Sequence, residues 1–191
     1  MNDLAFYFKE GWHHIISLDA LDHQLFIVAL SAIYILKDRK KVLILVTAFT
    51  IGHSLTLALS IYDVIRANDK WVEFLIPITI IITAVSNFFL KDFSTKKIQI
   101  NYFFALFFGL VHGLGFANSI RFMLASNQSI GVGLLGFNLG LEAGQMLCVA
   151  LILLFAHFVI TMAGIKRLWW VYTLSIITII WAVKFAVVRV P

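Results

Sequence analysis

Apolar residues follow one another along this chain without the alternation of a half-buried strand. They fill six nearly unbroken stretches, roughly 14–36, 42–62, 72–90, 101–118, 131–158 and 168–188. Each is close to the ~20 residues that an α-helix needs to cross a hydrocarbon layer. Residues 1–13 differ, setting Phe6, Tyr7, Phe8 and Trp12 against Asp3, Lys9 and Glu10, and predict a short amphipathic helix on the surface. The fifth stretch is long enough to be tilted or broken, and Gly131, Gly133, Gly136, Gly140 and Gly144 supply places for it. Gly136, Gly140 and Gly144 recur every four residues, which lets a neighbouring helix approach closely.

The pattern predicts an all-α, polytopic membrane bundle of about six transmembrane helices forming one domain over 1–191. Composition agrees, with 61% hydrophobic and 13% charged residues, against about 45–50% and about 25% in soluble domains. A transmembrane barrel is excluded because its strands would alternate polar and apolar positions. The net charge of +5 does not indicate a nucleic-acid partner. Its basic residues sit in short loops, at Lys37, Arg39, Lys40 and Lys41, then Lys91, Lys96 and Lys97, then Lys166 and Arg167. The opposite side carries Lys9, Arg66, Lys70, Arg121 and Arg189. Nine against five on the positive-inside rule puts both termini outside the cytoplasm. The first residues are acidic where a signal peptide would be basic, so the first stretch is expected to stay in the bundle. The one cysteine, Cys148, lies in an apolar stretch and offers no intrachain disulfide.

Ionisable side chains inside such stretches cost about 2.5–3.5 kcal/mol each on insertion scales and ask for a reason. At ~1.5 Å per residue, His23 lies about 13 Å from the outer end of its stretch. By the same measure His53 lies about 13 Å in, His112 about 9 Å and Glu142 about 16 Å. Four groups on four stretches share one depth in the outer half, with Asp22 beside His23. Imidazoles and carboxylates converging there suit a divalent transition metal such as nickel or zinc. Thr50 and Ser54 lie within a turn of His53 and are candidates to hold its second ring nitrogen. Gly109, Gly113 and Gly115 leave room around His112. Glu142 has two readings, as a ligand or as part of a structural network with Asn138 and Gln145. His13 and His157 read as packing residues near the interfaces, and Asp19 as a helix N-cap.

These residues carry a resemblance. Asp22-His23-Gln24-Leu25-Phe26, Thr50-Ile51-Gly52-His53-Ser54, Trp71-Val72-Glu73-Phe74, Gly109-Leu110-Val111-His112-Gly113 and Asn138-Leu139-Gly140-Leu141-Glu142, taken in order, resemble the motifs of the HupE/UreJ family of small bacterial membrane proteins. Asp22 follows His14 by eight positions, more than in the hydrogenase-linked members, so the chain looks closer to a second, less characterised branch. The resemblance implies a bacterial inner-membrane, multi-pass metal permease with His14, Asp22, His23, His53 and His112 at the motif positions.

Two functions follow. A permease would take a nickel-like divalent ion from outside through His14 to the buried cluster. An intramembrane zinc-type hydrolase would use the same cluster to activate water, with Asp22 or Glu142 as general base. Its substrate would be lipid-borne or membrane-anchored. In both cases the partners are a metal ion and the bilayer; a minor third option is an accessory role to a partner subunit.

Overall fold

The structure is a computed structural model and describes residues 3–90, 99–124 and 130–191. Lys91, Lys96 and Lys97, and the side chains of Asp19 and Arg121, lie outside the described residues. Among those described, the chain is helical throughout. Its helices are α1 (Asp3–Ile16), α2 (Leu21–Ser31), α3 (Arg39–Ile61), α4 (Asp69–Ser86), α5 (Gln99–Leu124), α6 (Ile130–His157) and α7 (Arg167–Val188). Among the described residues, four helical segments are long and apolar enough to cross a membrane: Leu36–Ile61, Asp69–Phe89, Ile130–Met162 and Arg167–Val188. Leu21–Ser31 and Asn101–Ala117 are shorter apolar helices.

The first apolar stretch, expected as one helix over 14–36, is two. α1 absorbs the segment expected at the surface and buries Tyr7, Gly11 and Ile15. The chain then leaves helical geometry at Ser17, whose φ of −66° and ψ of 154° are extended. It passes through a 3-10 turn at Leu18–Ala20 and restarts as α2. Such a break exposes the last carbonyls of α1, which must find donors in an apolar setting. Gln24 supplies them, its Nε2 lying 3.0, 3.2 and 2.9 Å from the carbonyl oxygens of Ile15, Ile16 and Ser17. That staple folds the end of α1 beside the start of α2.

The glycines of α6 do not break it; they form a seam with α1. A Cβ on Gly140 would lie 1.9 Å from the Phe8 carbonyl oxygen, and one on Gly11 would lie 1.9 Å from that of Phe137. Gly136 faces Leu4, Gly140 faces Phe8 and Gly144 faces Ile15, so α1 and α6 run parallel. A second seam joins α3 to α5. Gly52 meets the Leu106 carbonyl, Gly109 that of Phe49 and Gly113 that of His53, again in parallel order. Where lipid offers no hydrophobic drive between helices, such backbone contact is what holds them. At the other end of the bundle, the Arg167 guanidinium donates to the Ile33 carbonyl and ties α7 to the end of α2.

Candidate metal centre

Each seam delivers histidines to one place. The α1–α6 seam and the Gln24 staple bring His14, at the end of α1, against His23, with ring centroids 4.8 Å apart. The α3–α5 seam sets His53 and His112 at one level. His23 joins the two halves, with its ring 4.8 Å from His112 and 6.3 Å from His53. One ring nitrogen from each of His14, His23 and His53 lies within 4.8 Å of the others. His23, His53 and His112 are buried, at 5%, 0% and 1% exposure.

Hydrogen bonding shows what this cluster lacks. His14 Nε2, His23 Nε2 and both ring nitrogens of His53 and of His112 are buried without a partner. A buried polar group left unpaired costs about 1–3 kcal/mol, and native proteins satisfy nearly all of them. A bound cation would satisfy one nitrogen from each ring it meets, since the two nitrogens of an imidazole diverge and only one can reach the same ion. Imidazole nitrogens are the donors that suit Zn²⁺, Ni²⁺ and their neighbours, so the residues fit a metal.

Asp22 orients the set. Its Oδ1 lies 3.0 Å from His23 Nδ1 and accepts from the His23 backbone N–H at 2.8 Å. With Nδ1 engaged, His23 presents Nε2 to the cluster, as outer-shell carboxylates do for metal-binding histidines. Oδ2 accepts from the Arg189 guanidinium at 3.2 Å. An Asp22→Ala change is expected to lower metal affinity by about 10–100-fold, measured by competition against a chelator of known affinity. Unchanged affinity would mean that His23 needs no orienting partner.

The walls are aromatic. Phe116 lies 4.0 Å from the His14 ring, and Phe49 lies 5.3 Å from His112 and 6.1 Å from His53. Phe137 stacks over His53 at 6.2 Å and Phe26 lies 5.6 Å from His112. On one side the cluster opens into a cavity of about 200 Å³ bordered by His14, Asp22, His23, Glu73, His112 and Arg189.

Several sequence expectations resolve differently. Glu142 stands apart from the histidines and accepts from the Thr47 hydroxyl at 2.6 Å. Thr50 and Ser54 do not hold His53. The Thr50 hydroxyl lies 3.0 Å from Gln145 Oε1, and Ser54 donates to the Thr50 carbonyl at 2.6 Å. Asn138 approaches His53 from α6 side chain to side chain, but without the alignment of a full hydrogen bond. Gly109 and Gly113 leave no room for an ion, because the α3 backbone fills it, whereas Gly115 borders the cavity. His157 is exposed at the far end, beside Ile35 and Lys37. Gln24 and Arg189 were not singled out by sequence reasoning. A glutamine one turn past a helix break was a signal for the first; nothing in the sequence pointed to the second.

Fold and site together define a helical membrane protein with a buried histidine cluster of metal-ligating type. A family profile described as HupE / UreJ protein matches residues 1–189. The chain belongs to the HupE/UreJ family. No curated protein and no solved structure matches it significantly.

Proposed function

We propose that this protein is a permease for a divalent transition metal, nickel-like in its chemistry, with the histidine cluster as its binding station. The observation that carries this reading is the gathering of four histidines with unpartnered ring nitrogens, three of which border a cavity open to one side. The family is associated with nickel and cobalt transport, and the all-nitrogen donor set suits those ions. The chain crosses the bacterial inner membrane six times, α1 and α2 forming one broken passage. Both termini face outward, because Lys37, Arg39, Lys40 and Lys41 cluster around the start of α3 and Lys166 and Arg167 around the start of α7.

A route also needs polar groups beyond the binding station. Thr50 and Thr47 lie one and two turns below His53 on α3, against Gln145 and Glu142 of α6. These oxygens form a layer on the cytoplasmic side of the cluster, where imidazole gives way to harder and weaker donors for a nickel-like ion.

Proteoliposomes loaded with a metal-sensitive dye test the reading. Wild-type protein is expected to carry Ni²⁺ inward, and Glu142→Gln to slow the flux about tenfold, equivalent to ~1.4 kcal/mol on the barrier. Binding at the histidines is expected to stay unchanged in that variant. Tight binding with no flux would sink the permease and favour the second reading, an intramembrane zinc-type hydrolase. The observation behind that alternative is the aromatic lining of Phe26, Phe49 and Phe137, which packs on the histidine rings and does not border the cavity. A zinc ion held in such apolar walls would supply an activated water, with Asp22 nearby as base.

A further inference from the structure

The metal-facing cavity contains a permanent cation. Arg189 lies just beyond the end of α7, where its backbone N–H bonds the Phe185 carbonyl at 3.0 Å. Its guanidinium rests 5.3 Å from the Phe185 ring centroid and reaches 3.2 Å from Asp22 Oδ2. Its side chain is 28% exposed and that of Asp22 12%. Arg189 is the one cationic side chain among the described residues that border the cavity.

Charge balance around the cluster follows from this contact. The carboxylate that backs the histidines is Asp22, and its charge is already offset by Arg189. A divalent ion entering between the imidazoles would meet neutral ligands and, in Asp22 with Arg189, an ion pair of no net charge. In a poorly solvated pocket the loss of the carboxylate's attraction is large. Once the guanidinium moves away, the carboxylate acts on the ion through His23, and the balance reverses.

The structure permits that movement. A long side chain at a helix end can swing about its own bonds without shifting α7. Glu73, exposed in the first turns of α4 and bordering the same cavity, offers a second carboxylate to receive it.

We propose that Arg189 is a tethered cation that competes with the incoming metal for Asp22 and so sets the affinity of the site. Metal binding and the Arg189–Asp22 contact oppose each other, and Glu73 is where the arginine goes when metal wins. This rests on the metal-site reading of the histidines and holds for a permease or an enzyme.

The test is equilibrium titration of the purified full-length chain in detergent with Zn²⁺ and with Ni²⁺. Arg189→Gln is expected to bind about tenfold more tightly than wild type. Arg189→Lys, which keeps the charge, is expected to bind within about twofold of wild type. A merely structural role for the arginine predicts the opposite, since damage to the site weakens binding. Glu73→Gln is expected to weaken binding a few-fold in the wild-type background and to do nothing beside Arg189→Gln. Affinity in Arg189→Gln equal to or below wild type would overturn the proposal while leaving the metal site standing. A wild-type protein that binds neither ion would overturn both.

Discussion

Alanine at His53 is expected to strip the protein of tightly bound metal, lowering affinity by more than about 100-fold. His53 is fully buried, both of its nitrogens are unpartnered, and it shares the 4.8 Å cluster with His14 and His23. The hydroxyls nearest to it on α3 cannot stand in, because Thr50 and Ser54 are committed elsewhere. The metal-free variant is expected to remain as stable as wild type within about 1 kcal/mol. Lost packing and the relief of two unpaired nitrogens act in opposite directions there. Elemental analysis after exchange into metal-free buffer, beside a thermal unfolding curve, reads both quantities. Full metal occupancy in a folded His53→Ala protein would remove the histidine cluster from consideration.

The second large effect concerns a residue that touches no ligand. Gly140→Ala places a methyl group 1.9 Å from the Phe8 carbonyl oxygen. Backbone cannot yield as a side chain can, so α1 must back away from α6. The expected destabilisation is about 3 kcal/mol, the upper part of the range for overpacking. Function should suffer with it, because α1 carries His14, and its withdrawal opens the cluster at one corner. Gly131→Ala is the matched control on the same helix, since nothing lies within 4 Å of a Cβ there. If both alanine variants unfolded at the same temperature, the α1–α6 seam would not be the contact described above.

Much of this site was legible in the sequence because depth in a membrane is linear in residue number. Counting from span ends placed His23, His53 and His112 at one level, and the structure brings their rings together. The same count placed Glu142 at that level, but depth along one helix does not fix the partner on another. How α6 packs against α1 and α3 decides it, and that packing brings the Glu142 carboxylate to Thr47, about two turns from His53 on α3. The glycine spacing in α6 announced a close helix contact without naming the partner. The break at Ser17 was hidden for another reason. Ser17, Asp19, Asp22, His23 and Gln24 make it the most polar part of the stretch, but a polar cluster inside one unbroken span reads the same way, and the Gln24 staple that satisfies the break is a tertiary event. Arg189 lies 167 positions from Asp22, and no spacing rule connects them.

By itself the sequence determined the solvent, the helical class and the existence of buried imidazoles. Those follow from transfer free energies and from backbone groups that must pair within their own helix in lipid. Only the tertiary structure decided which helices touch, and hence that His14 turns inward, that Asp22 serves His23 and that Arg189 shares the cavity. Those outcomes depend on helix rotation and on backbone approach at glycines, where a shift of one methyl group changes the partner. Such choices are settled by contacts between segments far apart in the chain, which no local pattern encodes.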